Sequence, residues 1–133
     1  MDDRGSASVE LVLLTPVFVL LLFFVVAAGR LAVSRNDVDE AARDAAREAS
    51  TWRTAADATS HGVDQGLADL NGGRLSCRNP QVSIDVSDFR PGGEIVAAVR
   101  CTVALGDVSG LGIGPSRTLE ATAVAVIDTF RSR

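Results

Sequence analysis

Nineteen consecutive residues, Leu11 to Gly29 (LVLLTPVFVLLLFFVVAAG), carry no charge, and Thr15 is their one polar side chain. As an α-helix rising ~1.5 Å per residue they extend about 28 Å, close to the ~30 Å hydrocarbon thickness of a bilayer. Fourteen of them are Leu, Val or Phe, each favouring insertion by ~0.3–0.6 kcal/mol at mid-membrane. Their sum, ~4–8 kcal/mol, is an upper bound, because terminal positions count for less and Pro16 opposes it. A soluble helix of this composition would need a large domain around it, and only about a hundred residues follow. The stretch is expected to enter a membrane.

A chain of 133 residues then leaves room for one small folded domain beside that segment. Its 13 basic residues, all Arg, are outnumbered by 17 acidic ones, so no nucleic-acid footprint is expected. The chain has one histidine, His61, and two cysteines, Cys77 and Cys101. No His, Cys or acidic cluster has metal-ligand spacing, and no cofactor is implied. An even cysteine count beyond a membrane segment fits an oxidising compartment.

The leader, residues 1–10 (MDDRGSASVE), sets Arg4 against Asp2 and Asp3 and is close to neutral, unlike the positive n-region of a general secretory signal. Glu10 abuts the apolar run. A carboxylate at that depth costs ~2.5–3.5 kcal/mol on insertion scales when charged, so it calls for a partner.

Gly5 followed by SASVE and an apolar helix resembles the type IV prepilin signature, in which a membrane aspartyl protease cuts after the glycine and glutamate becomes the fifth mature residue. More closely, RGSASVELVLLTPVF resembles the TadE-like family of pilin-like proteins in Tad (Flp-type) pilus systems. The likeness continues at Gly29-Arg30 and in AARDAAREAS, residues 41–50, where Ala46 stands in a position commonly glycine in that family. It covers roughly residues 4–50. The resemblance implies processing at Gly5–Ser6 and an assembly role for Glu10. The implied partners are a prepilin peptidase, other pilin-like subunits, the pilus assembly platform and the membrane. Cleavage there would free an amine on Ser6 one turn before Glu10, and in a bundle one subunit's amine could neutralise its neighbour's carboxylate. The alternative for Glu10 is an ordinary acid at a helix N-terminus, favoured by the macrodipole.

Pro16 removes the amide that would bond the Val12 carbonyl, so a kink or loosening is expected, which Thr15 could partly relieve. Beyond Gly29 the helical period continues. Leu31, Val38, Ala42, Ala45, Ala49, Trp52 and Ala56 mark one stripe, interrupted by Arg35. A break near 34–37, capped by Asn36, is consistent with the pattern. A second helix is expected from Ser60, as its cap, to Leu70, with Val63, Leu67 and Leu70 on one face and Asn71-Gly72-Gly73 as its stop. His61 beside that cap reads as a surface polar residue.

From Cys77 the period becomes two. Val82, Ile84 and Val86 alternate, as do Ile95 to Leu105 and Leu119 to Ile127, separated by turn-rich links. The links favour an antiparallel meander. The last strand is apolar on both faces and is expected centrally or under the helix. The 106–115 loop, GDVSGLGIGP, lacks the Lys and the following helix of a phosphate loop and reads as a flexible tip. Folding the first hairpin over 88–92 sets Cys77 opposite roughly 101–104, which predicts a Cys77–Cys101 disulfide.

These observations predict an α+β chain: leader 1–10, transmembrane helix 11–29, helical region 30–71 and antiparallel β region 72–133. Its expected role is a non-enzymatic, pilin-like, single-pass membrane subunit with an extracytoplasmic domain. One alternative is a secreted protein cleaved after a general signal near Ala28. Another is an unprocessed single-pass envelope adaptor. Arg30 and Arg35 against Arg4 would place the domain in the cytoplasm by the positive-inside rule; the cysteines and the prepilin pattern point outward.

Overall fold

The computed structural model describes residues 4–73, 77–104 and 116–130, with side chains from Val9 onward. Helix α1 (Arg4–Thr51) is followed by α2 (Ala55–Gly72) and by strands β1 (Cys77–Asp85), β2 (Glu94–Ala104) and β3 (Ser116–Val126). The three strands form one antiparallel meander in the order β1-β2-β3. The expected α+β class, with its long first helix, shorter second helix and three-stranded sheet, is what the chain adopts. The 106–115 loop and Leu105 lie outside the described residues.

Helix α1 is 48 residues long and has no break at 34–37. A break there would expose four unpaired amides and four carbonyls, whereas Ser34 instead donates its hydroxyl to the Arg30 carbonyl at 2.9 Å. The buried stripe passes through Ser34, 7 % exposed, rather than through Arg35. It then runs through Val38, Ala41, Ala42, Ala45, Ala46 and Ala49, all 1 % exposed or less. Ala56, expected on the stripe, belongs to α2 and is exposed.

The second helix starts five residues before Ser60. Thr54 is its cap: its Oγ1 accepts the Asp57 amide at 3.1 Å and donates to Asp57 Oδ2 at 2.7 Å. That local box outcompetes Ser60, whose hydroxyl bonds the Asp57 carbonyl within the helix. The stop at 71–73 is as expected, with the Gly73 amide on the Asp69 carbonyl at 2.9 Å. Ala58, Gly62, Gly66 and Leu70 form the buried face of α2, so Val63 and Leu67 flank the packed line and only Leu70 lies on it. The glycines let the two helices touch. A β-carbon on Gly62 would stand 3.0 Å from Ala49 Cβ, 3.1 Å from the Ala45 carbonyl oxygen and 3.1 Å from Ile84 Cδ1.

Helix α1 lies over β2 and β3, and α2 over β1. Strand β2 is central, with Ile95, Ala97, Val99, Cys101 and Val103 facing the helices and almost fully buried. Strand β3 is an edge strand, not the central one; it does lie under α1, with Leu119 and Ala121 inward and Ile127 buried just past its end. Its outward Val124 and Val126 are 57 % and 64 % exposed. The first turn is clipped to the end of this strand, since the Gly92 amide bonds the Ile127 carbonyl and the Ile127 amide bonds Gly93. Gly92 has φ +78°, a conformation that costs a side-chain-bearing residue more. In the same turn the Arg90 guanidinium beside Asp88 holds that carboxyl below its ordinary range.

Gly62→Val is expected to destabilise the domain by ~1–3 kcal/mol or more, since the added methyls meet the α1 backbone. Gly72→Ala, which meets nothing within 4 Å, should be neutral or mildly stabilising. Thermal melts of the two variants beside the parent check the contrast.

Candidate functional site: the first helix and its junction with the domain

The α1 backbone is helical from Arg4, so Gly5, Ser6 and Glu10 all lie in its first two turns. Ser6 and Glu10 are four apart and therefore on one side of the helix, ~6 Å apart along the axis. Glu10 and Val9 are exposed. Beyond them the large apolar side chains from Leu11 to Val26 are 44–74 % exposed. An eighteen-residue window in this region reaches a mean hydropathy of 3.0 with none of it buried inside the protein. This is one helix long and apolar enough to cross a membrane, and none of the described residues covers it. Pro16 is accommodated within it. Thr15 donates its hydroxyl to the Leu11 carbonyl at 2.7 Å, so it does not take over the Val12 carbonyl, whose helical donor proline lacks.

The helix then enters the domain without changing course. Its alanine face serves three consecutive clusters. Val38, Ala41 and Ala42 pack with Val99, Cys101, Val103 and Leu119, with Leu31 against them. Ala45 and Ala46 meet Ala97, and Ala49 meets Ala58, Ile95 and Ile127. Cys77 and Cys101 are joined by a disulfide in the first of these layers, with Cα atoms 5.4 Å apart. Cys77 pairs with Val103 in the ladder, within the expected 101–104.

That bond depends on a local irregularity. Cys77 and Val82 are five apart, so a regular strand would point them to opposite faces. The ladder shifts by one residue between Arg78 and Gln81, where Asn79 takes φ +54° before Pro80. The bulge restores Cys77 to the face that holds Val82 and Cys101. Asn-Pro within a strand was the available signal.

His61, read as a plain surface residue, is half-buried and stacks on Trp52 with ring centroids 3.7 Å apart and planes 5° from parallel. Trp52 Nε1 in turn donates to Glu48 Oε1 at 3.0 Å. This trio fastens the α1–α2 corner. A cleft of about 310 Å³ between the helices is lined by Asp37, Glu40, Asp44 and Asp69. Among the described residues, no group of three or more His, Cys, Asp or Glu is placed to hold a metal ion.

Comparison with protein families bears on the segment that carries these features. The family model described as TadE-like protein matches residues 5–47. Residues 5–47 are similar to that family. This TadE-like segment spans Gly5, Glu10, the whole exposed apolar run and most of the alanine face, and it ends four residues before α1 does. Helix α2 and the sheet follow it. Comparisons with curated proteins and with solved structures give no match.

Removing the disulfide through Cys77→Ala/Cys101→Ala is expected to cost ~3–3.5 kcal/mol in the chain-entropy picture, for cysteines separated by 24 residues. Denaturant unfolding of the domain in full-length protein measures it, and non-reducing peptide mapping from cells should show Cys77 linked to Cys101.

Proposed function

We propose that this chain is a membrane-anchored, pilin-like subunit of a Tad-type pilus apparatus, working by helix packing and not by catalysis. The observation that carries the reading is the coincidence of two independent facts. The TadE-like match covers residues 5–47, and the apolar part of that segment is a helix on which none of the described residues packs. Such a surface is suited to lipid before assembly and to neighbouring helices after it.

The chemistry at the start of the helix follows from this. A prepilin peptidase cutting the Gly5–Ser6 bond leaves an ammonium on Ser6, and Glu10 supplies the opposite charge one turn further on. Between neighbouring subunits that pair makes axial register part of the binding free energy, because a lone charge in lipid is costly. The exported topology is supported by the Cys77–Cys101 bond, since such bonds persist in oxidising compartments. The helix running unbroken through Val26-Ala27-Ala28 into the core favours a retained anchor over cleavage near Ala28.

Mass spectrometry of the protein from cells is expected to find Ser6 as the mature N-terminus, and Gly5→Val to abolish that cut. Recovery of Gly29 or of Met1 as the N-terminus of the parent would overturn the processing step.

Glu10→Ala leaves the neighbour's amine without a partner, and breaking a buried pair from one side costs ~3–5 kcal/mol. The variant should be processed and membrane-inserted normally, yet lose subunit crosslinks in membranes and surface pili. Normal crosslinks and normal pili would retire the assembly role of Glu10.

A further inference from the structure

The two edges of the sheet are finished differently. At β1 the edge is broken: the ladder shifts between Arg78 and Gln81, Asn79 has φ +54°, and Pro80 has no amide hydrogen. Strand β3 keeps an uninterrupted register over all 11 residues, Ser116 to Val126, with no proline, lysine or bulge. Natural sheets use those devices to blunt an exposed edge.

Ile127 fixes which groups of β3 are free. It directs both main-chain groups at the β2 side, its amide to the Gly93 carbonyl and its carbonyl to the Gly92 amide. In an antiparallel ladder that direction alternates residue by residue. Ala121, Ala123 and Ala125 therefore bond β2, and Thr122, Val124 and Val126 present amides and carbonyls to the open side. Among the described residues no strand lies beyond β3. The side chains of the same three residues are exposed on the outer face, with Val124 beside Val96 in register and Val126 beside Glu94. The nearest charges along the strand are Glu120, held by Arg100 at 3.0 Å, and Asp128. The link 105–115 must leave Ala104 and return to Ser116, a reach of ~20 Å at most. Val124 and Val126 lie ~26–33 Å along the strand from Ser116.

A second copy is a poor occupant. Helix α1 runs the same way as β3, since Val38 packs with Leu119 and Ala49 with Ile127. Antiparallel pairing of two β3 edges would point their apolar helices in opposite directions, which subunits inserted alike in one membrane do not allow.

We propose that residues 122–126 of β3 form a strand-addition site, which takes an extended segment of a different polypeptide as a fourth, antiparallel strand. Main-chain bonds to Thr122, Val124 and Val126 hold the segment, and its side chains beside the two valines are apolar or β-branched. The inference rests on α1 spanning a membrane for the exclusion of a second copy, and not on any role in a pilus.

The probe is a synthetic peptide of alternating threonine and valine, closed at both ends by arginine for solubility. It is titrated into full-length protein in detergent micelles while amide hydrogen exchange is followed by NMR. In the free protein the Ala123 and Ala125 amides should exchange slowly, and those of Thr122, Val124 and Val126 fast. The peptide should slow these three by about tenfold or more at saturation. The same peptide methylated on every threonine and valine amide keeps its side chains, donates no main-chain bond there, and should not bind. Val124→Pro removes one outward donor without touching the β2 ladder and should weaken binding about tenfold or more. Val124→Lys, which keeps the amide, should also weaken it and serves where the proline variant fails to fold. Ser83→Lys, on β1, should not. No slowing at residues 122–126, undiminished binding of the methylated peptide, or an equal loss in Ser83→Lys overturns the site. Slow exchange of the three amides in the free protein overturns it too: concentration-dependent slowing would mean a second copy, and concentration-independent slowing a segment of the same chain.

Discussion

The close approach of α1 and α2 is the contact from which the rest of the domain follows. Alanines on one helix meet glycines on the other, so the backbones touch and both helices can share the inner face of a sheet only three strands wide. Small side chains contribute little apolar area each, and the largest fully buried side chains are Ile95, Val38, Val99 and Cys101. A core of that size is near the lower limit for independent stability. The disulfide between β1 and β2 compensates by restricting the unfolded chain. The dense helix pair, the thin core and the crosslink are thus parts of one solution.

The same helix is built for two solvents. Up to Val26 its large side chains face outward on every side, as lipid or neighbouring helices require. Past Gly29 the apolar surface narrows to one stripe of small residues, as a water-facing domain requires. The TadE-like match covers both regimes and stops near the end of α1. What lies beyond it, α2 and the sheet, presents the polar and partly apolar outer surface, including Val124 and Val126.

Much of this was legible in the residues. The apolar run, the change of period from 3.6 to two at Cys77, and the pairing of the cysteines each rest on a strong local signal, and each is found in the structure. The places where reading fell short have two causes: a tertiary contact outweighed the local pattern, or a local side-chain hydrogen bond lay hidden within it. Gly62 and Gly66 read as weak helix formers, yet they lie on the packed face of α2, where a β-carbon would stand 3.0–3.2 Å from atoms of Ala45 and Ala49. Thr54 and Asp57 begin α2 before the apolar period does. Ser34 passes for a polar interruption until its hydroxyl is seen bonded to the helix itself. For β3, apolar residues on both faces suggested a place at the centre or under the helix; it lies under α1 at the sheet edge, with its outer face open. Gly5, Ser6 and Glu10 were legible as a pattern, and the structure sets them in the first two turns of α1. His61 carried no pattern that would have paired it with Trp52.

Because α1 has no interruption between the apolar span and the alanine face, it has no swivel there. A helix advances ~100° and ~1.5 Å with each residue, so the number of residues between Ala28 and Val38 fixes the compass heading of the sheet relative to the membrane segment. The direction in which the outer β-face looks is consequently dictated by the same screw that sets where Glu10 stands on the helix. In any array of such subunits, lateral order among the rods would be transmitted as angular order among the domains, with no contact between the domains needed.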